Sequence, residues 1–376
     1  MSVCPDRVDV RSAAAQRSVY PRHPVRAFSC HTCGQLVVFD STTCLTCGSE
    51  LGFWWPDRGL LTLATTPESE ALSAVGEAGG APAALWRCAN RAIAGCNWVV
   101  ETRGELCFSC ALTRTRPDDD HAKGLREFRV AEGAKRWLLF ELGELGLPVE
   151  SPRERDGGLA FDLLSSDAEP VTTGHSHGVI TLDLAESDDA RRVARREQLG
   201  EPYRTVLGHL RHEIGHYYWP ILVAGDEPLA RWRELFGDEC EDYDTALERH
   251  YRDGPPQDWR ERFVSAYATM HPSEDWAETF AHYLHIRDGV QTASAYRVQV
   301  HGPASAPPPR LASELDSSAR PSGHEFDRLL AAWLPLTYAL NAINRSIGRS
   351  DLYPFVLPPP VVAKLAFVHE LVDARA

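Results

Sequence analysis

Residues 208–219 of the chain read Gly-His-Leu-Arg-His-Glu-Ile-Gly-His-Tyr-Tyr-Trp. Within this stretch His212 and His216 are four positions apart, and Glu213 directly follows the first of them. On an α-helix, residues at i and i+4 lie on the same face, so both imidazoles can reach one metal ion. The stretch therefore predicts a helix that carries two zinc ligands, with a carboxylate base beside them.

The residues around this motif predict a helix independently of it. An apolar stripe recurs at helical spacing, made of Val206, Leu207, Leu210 and Ile214. Pro202 suits the first turn of such a helix, and Pro220 is expected just after its end. The alternative is a surface helix with two solvated histidines, and the independent helix signals count against it.

A catalytic zinc site needs a third protein ligand and an open fourth position. Downstream, Glu274 and Glu278 lie four residues apart on one face of a predicted helix, with Ser273 as its expected N-cap. One carboxylate can bind zinc while the other accepts the ring N–H of a ligating histidine. His282 on the same helix is a further candidate, so the pattern alone leaves the third ligand open.

The cysteines predict a second kind of metal site, because eight of the ten lie between residues 30 and 110. Two Cys-x2-Cys pairs, each followed by glycine, are separated by ten residues and comprise Cys30, Cys33, Cys44 and Cys47. A two-residue gap lets two thiolates reach one tetrahedral zinc ion. We expect a structural zinc site here rather than free or redox-active thiols, with a short hairpin over residues 35–43 between the pairs.

A second set of four cysteines looks like a degenerate repeat of the first: Cys88, Cys96, Cys107 and Cys110. Ten residues again separate the two pairs, but seven residues intervene within the first pair. Val99-Val100 occupies a place close to that of Val37-Val38 in the first set. These features predict a second structural zinc site. The alternative is a pair of knuckles that has lost its metal and persists as packing.

The chain is expected to have an α+β fold, with N-terminal zinc-ribbon modules followed by a mainly helical domain that contains a small β-sheet. Short apolar runs at 159–164 and 179–184 predict strands, and most of the remaining sequence to the C-terminus predicts helices. Residues 66–84 read as a linker or long loop between the ribbons. The expected division is a flexible tail at 1–25, tandem ribbons at 26–113, a linker at 114–124 and the helical domain at 125–376.

Composition excludes several classes of protein. The chain has 376 residues, 39 basic and 53 acidic side chains and a net charge of −14. This charge disfavours nucleic acid as a partner, and no apolar run is long enough to span a membrane. The N-terminus lacks the apolar core of a secretory signal, so we expect a cytoplasmic protein.

The motifs resemble those of the gluzincin metallopeptidases, in which two histidines and a glutamate bind zinc. Glu274 follows His216 by 58 residues, and the segment 267–280 is similar to the corresponding segment of lethal-factor-like zincins. More closely, nearly the whole chain resembles a bacterial family of zinc-binding metallopeptidases with an N-terminal zinc ribbon. Four segments carry this likeness: 174–182, 201–205, 207–219 and the segment around Glu274.

The resemblance implies a zincin-like domain and agrees with the roles read from the residues. His212, His216 and Glu274 would bind the catalytic zinc, and Glu213 would activate the zinc-bound water as general base. Two further roles follow: Tyr267 would hydrogen-bond the oxyanion, and Glu278 would orient a ligand histidine. By analogy with zincins, strand 179–184 is expected at the sheet edge, where an extended peptide pairs. His175 and His177 are candidates to line that peptide cleft, but the expected position of each is an exposed loop.

We therefore predict a zinc-dependent metallopeptidase with one catalytic zinc and two structural zincs, acting on a peptide or protein. Two alternatives stay open. One is a zinc amidase that acts on a modified peptide, and the other is an adaptor whose ribbons bind a partner while the zincin domain serves as scaffold. The intact Glu213 counts against the adaptor, because a scaffold has no need of a base. Whether the ribbons recruit substrate or gate the cleft is open.

Overall fold

The computed structural model describes residues 27–66, 69–76, 80–167, 169–188, 205–300 and 323–375. It confirms the α+β class: small antiparallel sheets form the N-terminal ribbon region, and a mostly helical domain with one further sheet follows. The tail predicted for 1–25 and the helix start predicted at Pro202 lie outside the described residues. No helix in the described ranges is long and apolar enough to cross a membrane.

The strands of the described ranges are β1 Phe28–Ser29, β2 Leu36–Val37, β3 Glu50–Trp54, β4 Gly59–Thr66, β5 Ser69–Ala74, β6 Trp86–Arg87, β7 Val99–Val100, β8 Thr113–Thr115, β9 Ala160–Leu164, β10 Gly174–Ser176 and β11 Val179–Asp183. In this part of the chain they form four sheets, with the orders β1-β2, β3-β4-β5, β6-β7 and β10-β11-β9-β8.

The helices of the described ranges lie mainly in the second half of the chain. Their bounds are α1 Arg91–Ala94, α2 Phe108–Ala111, α3 Ala122–Glu144, α4 Val206–Leu222, α5 Asp226–Phe236, α6 Tyr243–Asp253, α7 Pro272–Ala295, α8 Gly323–Ser346 and α9 Pro359–Asp373. Short 3-10 turns cover Leu184–Ser187, Trp259–Glu261 and Tyr267–Thr269.

The two ribbons repeat one arrangement, as predicted, but the hairpin is placed differently. In each ribbon, one strand ends directly before the first of the four cysteines. The strand that pairs with it begins three residues after the second cysteine, which gives the pairs β1-β2 and β6-β7. The hairpin expected within 35–43 was wrong because the Cys30–Cys33 knuckle itself makes the turn. The backbone of Gly34 has φ +75°, which glycine adopts without strain.

The segment expected to be a linker or loop, 66–84, instead contributes strand β5. It pairs antiparallel with β4, and Leu72 is 1% exposed in a small core under this sheet. The sequence of β5, Ser-Glu-Ala-Leu-Ser-Ala, has little strand propensity of its own. Pairing with a neighbouring strand overrides local preference here, as it often does in sheets.

The sheet of the helical domain confirms the strands at 159–164 and 179–184 but not the edge position of the second. β11 lies between β9, to which it is parallel, and β10, to which it is antiparallel. His177 and Gly178 both have positive φ (48° and 82°), the backbone of a two-residue hairpin turn. This turn folds β10 onto β11, so β10 occupies the edge.

Helix α3 joins the ribbon region to the helical domain. Its aromatic residues Trp137 and Phe140 pack against Phe39 of the first ribbon, with ring centroids 4.5 and 5.1 Å apart. The residues expected as a linker, 114–124, begin within strand β8, which pairs with β9 of the domain sheet. One continuous hydrophobic core therefore runs through both regions.

Helices α4 and α7 differ from the sequence expectation at one end each. Pro220 does not follow α4 but lies inside it, since the buried residues Ile221 and Leu222 continue the helix. The N-cap of α7 is His271 rather than Ser273. Because Pro272 takes the first helical position, the residue before it becomes the cap, and its Nδ1 accepts the backbone N–H of Ser273 at 3.1 Å.

Candidate metal centre

Two helices, α4 and α7, pack closely and carry the candidate site between them. A side-chain carbon on Gly215 would lie 3.0 Å from Cα of Ala277 and 3.2 Å from Cβ of Phe280. The indole N–H of Trp276 also donates to the carbonyl of Gly215 at 2.8 Å. Because Gly215 has no side chain, α7 can pack closely against the face of α4 that carries His212 and His216.

Three predicted ligands converge across this contact. His212 Nε2 lies 3.0 Å from a carboxylate oxygen of Glu274 and 3.2 Å from Nε2 of His216. The other oxygen of Glu274 is 3.5 Å from His216 Nε2. Ligand atoms bound tetrahedrally to zinc at about 2.0–2.1 Å stand about 3.3 Å from one another. The three side chains thus fit one zinc ion, and Glu274, not Glu278 or His282, faces both histidines.

Glu278 meets the other nitrogen of His212. Nδ1 of His212 lies 2.8 Å from Glu278 Oε1, so a ring N–H there donates to the carboxylate, and Nε2, which faces Glu274 and His216, is the nitrogen that would bind a metal. The second oxygen of Glu278 accepts the hydroxyl of Ser265 at 2.6 Å. Ser265, which the sequence analysis did not single out, therefore extends the chain of hydrogen bonds that orients the His212 ring. No sequence motif marks Ser265, which lies 13 residues before Glu278.

The electrostatics of the cluster favour a cation. Burial works against a charge on His212, but Glu274 and Glu278 outweigh it and raise the pKa of His212 well above its ordinary value. Burial would raise the pKa of Glu278, yet the hydrogen bond from His212 lowers it to about 2. The pKa of Glu274 is likewise held well below its usual range, by His216 and His212 acting against burial. Both carboxylates are therefore ionised, and their charge suits a divalent cation.

Glu213 lies among these groups and is 8% exposed. Burial raises the pKa of Glu213, and the attraction of His212 and His216 only partly offsets this. A carboxylate with a raised pKa is a better proton acceptor near neutral pH than an ordinary one. The side chain thus has the property that a general base requires.

Two tyrosines border the centre, one predicted and one not. The ring of Tyr267 lies 6.0 Å from that of His212, and it is nearly perpendicular to the ring of His250 on α6, which is also 6.0 Å away. Tyr243, at the first position of α6, donates its hydroxyl to Glu274 Oε1 at 3.2 Å. The sequence analysis missed Tyr243 because a tyrosine 31 residues before Glu274 has no motif to mark it.

His175 and Arg211 lie beside the centre without entering it. His175 on β10 is half-buried rather than in an exposed loop, and its Nε2 accepts the backbone N–H of Gly178 at 3.2 Å. Burial, with the nearby His216 and His177, lowers the pKa of His175 to about 4, so the ring is neutral. Arg211 points away from the ligands and bridges Glu141 at 3.1 Å and Asp288 at 3.0 Å.

The two cysteine sets form compact groups. Within each set the four sulfur atoms lie within 4.8 Å of one another: Cys30, Cys33, Cys44 and Cys47 in the first, and Cys88, Cys96, Cys107 and Cys110 in the second. The closest sulfurs are 3.6 Å apart, near the separation of about 3.8 Å expected for four thiolates on zinc. The second set is buried throughout, whereas Cys33 and Cys47 of the first are exposed.

Comparison with known families agrees with this geometry. The profile of the family described as "Putative zinc-binding metallo-peptidase" matches residues 124–371, which include every residue of the three-ligand cluster. The chain belongs to this metallopeptidase family. A zinc-ribbon family matches residues 27–121 of the same metallopeptidase-family chain and covers both cysteine sets. Zinc is the metal of both families, in agreement with the predicted cofactor.

Relatives of this metallopeptidase-family protein share almost its full length. Uncharacterized proteins from two strains of Mycobacterium tuberculosis and from Mycobacterium bovis are each 50% identical to it over 356 residues. The match covers 94% of this chain and 96% of each relative. No solved structure matches the chain.

Proposed function

We propose that this protein is a zinc-dependent metallopeptidase that hydrolyses peptide bonds in a peptide or protein substrate. The observation that carries the proposal is the convergence of His212, His216 and Glu274 on one point, with the buried Glu213 beside them. Three protein ligands leave a fourth position for water or substrate, which is the arrangement of catalytic rather than structural zinc.

The chain's own residues would divide the work as follows. Zinc held by His212, His216 and Glu274 would supply a Lewis acid that lowers the pKa of water and polarises the peptide carbonyl. Glu213 takes the proton of the attacking water and returns it to the departing amine. Tyr267 donates a hydrogen bond to the oxygen on which negative charge develops.

Substrate would lie along the edge strand of the domain sheet. β10 takes the edge position that the sequence analysis gave to β11, and a peptide can pair with it in extended form. His175 lies opposite Ile180 in the β10-β11 register, and Ile180 is fully buried. The half-buried imidazole therefore faces the same side as this core residue, toward α4, where it borders the path of an extended chain.

The same metal and base would serve a zinc amidase, so the amide that is cleaved must be found by assay. A role for the ribbons in binding a protein partner, and the cytoplasmic location expected from the sequence, stay predictions. The residue roles and the division into ribbon region, linker and zincin-like domain are likewise proposals.

The test begins with metal content. We expect about three zinc ions per wild-type chain and about two in His212→Ala, because each cysteine set holds one zinc and the third needs the histidine pair. Equal counts in the two proteins, persisting after zinc is added, would contradict the proposal.

Activity is tested on peptide libraries with mass-spectrometric detection of products. Glu213→Gln serves as the matched control, since it keeps the side-chain shape and the metal ligands but removes the base. We expect cleavage by the wild type and its loss in Glu213→Gln at unchanged zinc content. Cleavage that persists at the wild-type rate in this variant would show that another group, or a contaminating protease, is responsible.

A further inference from the structure

Helix α6 begins beside the candidate metal centre. Asp242 caps it by accepting the backbone N–H of Thr245 at 2.9 Å, and Tyr243 is its first residue. From this position the Tyr243 hydroxyl donates to Glu274 Oε1 at 3.2 Å. A tyrosine hydroxyl has an ordinary pKa near 10, so it acts as a donor at neutral pH.

The hydrogen bond acts on a carboxylate that already faces two histidines. One oxygen of Glu274 is 3.0 Å from His212 Nε2, and the other, which Tyr243 contacts, is 3.5 Å from His216 Nε2. A donor held at one oxygen limits rotation of the carboxylate about its Cγ–Cδ bond. It therefore also fixes the direction of the lone pairs on both oxygens.

His271, the N-cap of helix α7, holds Tyr243 in place, and the same helix carries Glu274. The ring of His271 packs against the Tyr243 ring, with centroids 5.4 Å apart. Its Nε2 contacts the carbonyl oxygen of Glu241 at 3.0 Å, while its Nδ1 accepts the N–H of Ser273. One histidine thus joins the start of α6 to the start of α7, and the distance from Tyr243 to Glu274 is set by both helices.

The remainder of α6 is loosely packed, since Ala246 is its one buried residue. Tyr243 is 41% exposed and Tyr251, two turns later, is 68% exposed. The polar contact with Glu274 is therefore not a by-product of a tightly packed core.

We propose that Tyr243 is a positioning residue that orients the Glu274 carboxylate for metal binding, an inference that rests on the proposed metal centre. Ligating carboxylates are commonly hydrogen-bonded by neighbouring side chains, and loss of such a partner typically weakens metal binding about 10–100-fold. Tyr243 and Tyr267 would then act differently: the first on a ligand of the metal, the second on the reacting carbonyl.

The test compares full-length wild type, Tyr243→Phe and Tyr251→Phe by competition with a chromophoric zinc chelator. We expect Tyr243→Phe to raise the zinc Kd of the His2Glu centre about ten-fold and Tyr251→Phe to leave it unchanged. The visible absorption of cobalt(II) bound at the same centre should shift only in Tyr243→Phe. A change that affected general folding alone would not move this spectrum.

His212→Ala separates the two proposals. It should abolish the chelator step that belongs to the His2Glu centre; if no step is lost, the proposed metal centre fails. If that step is lost but Tyr243→Phe keeps the wild-type Kd and cobalt spectrum, the metal centre stands and the role of Tyr243 is wrong. Should Tyr243→Phe fold poorly by circular dichroism, Tyr243→Leu, which also lacks the hydroxyl, takes its place under the same criteria.

Discussion

Ser265, Glu278 and His212 form a line of hydrogen bonds that ends at the candidate metal. The hydroxyl donates to one oxygen of the carboxylate at 2.6 Å, and the other oxygen accepts the imidazole N–H at 2.8 Å. Such a line fixes the tautomer and the orientation of the ring, and the negative charge of Glu278 makes its far nitrogen a stronger ligand. The metal affinity should therefore depend on residues that never touch the metal.

We predict a graded loss of zinc affinity along this line. Glu278→Ala should weaken binding about 10–100-fold, because it removes both the orienting contact and the charge. Glu278→Gln, which keeps an acceptor oxygen, should weaken it less, and Ser265→Ala less again. Chelator competition measures all three. The control is Ser294→Ala, at an exposed position near the end of α7, the helix that carries Glu278. If it weakened zinc binding as much as Glu278→Ala does, the effect would not be specific to these hydrogen bonds.

His285 gives a prediction for pH. Burial, together with Arg211 and His282, lowers the pKa of His285 to about 3 in the folded chain. In the unfolded chain an exposed histidine titrates near pH 6.5, so between these values the unfolded state binds more protons. The free energy of unfolding should therefore fall as the pH drops from about 6.5 toward 3.

The measurement is urea unfolding at several pH values for wild type and His285→Phe. Phenylalanine can keep the ring contacts with Trp333 and Tyr353. We expect the variant to lose stability less steeply with falling pH, although not to become insensitive, because His282 has a pKa lowered to about 4 by burial. Parallel pH profiles for the two proteins would refute the assignment.

At the scale of elements, the crossing of α4 and α7 builds the candidate centre. Its closest point is Gly215, which lies between the two histidines and touches Ala277, a residue between the two glutamates. Helix separation and ligand geometry are thereby linked, because any increase in the separation moves Glu274 away from His212 and His216.

Gly215→Ala should accordingly be harmful even though alanine favours helix by about 1 kcal/mol over glycine. The new methyl group would approach the Ala277 backbone to 3.0 Å, so the helices must shift apart. We expect lower thermal stability and weaker zinc binding. Gly133→Ala in α3 is the matched control, since its methyl group would only reach the end of Arg136 at 3.8 Å, and it should be neutral or stabilising. A stable, zinc-replete Gly215→Ala protein would show that the crossing tolerates the shift.

The sequence predicted those parts of the site whose spacing along the chain is fixed by chemistry. The i, i+4 histidines and the Cys-x2-Cys knuckles are of this kind, because one helix turn or one tight turn places the ligands. Tyr243 and Ser265 could not be predicted, since their contacts arise only when separate elements pack. The choice of Glu274 over Glu278 needed the crossing of α4 and α7, and the resemblance supplied it before the geometry did.

The errors at element ends have a common physical origin. Pro220 would end an isolated helix, but burial of Ile221 and Leu222 continues it. β5 has a sequence that is poor for strands and gains its structure from β4. In these two cases tertiary contacts decided against the local preference. The edge position of β11 was expected by analogy with zincins, and the hairpin that adds β10 turns on two residues with positive φ, His177 and Gly178.

At the scale of the whole molecule, the second cysteine set lies in the hydrophobic core that continues from the ribbon region into the helical domain. Cys110 Sγ lies 3.8 Å from a carboxylate oxygen of Glu132 on α3, and Glu132 pairs with Lys135 at 2.6 Å with both side chains fully buried. A zinc ion with four thiolates carries net negative charge, so the adjacent carboxylate of Glu132 depends on the buried cation of Lys135 to offset its own charge. Farther along α3, Glu141 pairs with Arg211, the neighbour of His212.

The two ribbon zincs should therefore differ in their effect on the whole chain. Cys107→Ser removes a ligand of the buried set, leaving buried thiolates and the Glu132–Lys135 pair without the metal charge. Cys33→Ser removes an exposed ligand of the first set. Each should lose one zinc, but Cys107→Ser should lower the melting temperature of the whole chain more and should also weaken zinc binding at the His2Glu centre.

Calorimetry and metal analysis of the two variants test this difference under identical conditions. If both sets only stabilised their own ribbons, each variant would show a separate low-temperature transition and an unchanged main one. A single transition that moves down in Cys107→Ser, with the His2Glu zinc bound less tightly, is the expected result. It would follow from the shared core. Helix α3 contacts the second cysteine set through Glu132 and helix α4 through Glu141, so a shift of α3 after zinc loss also moves α4, which carries His212 and His216.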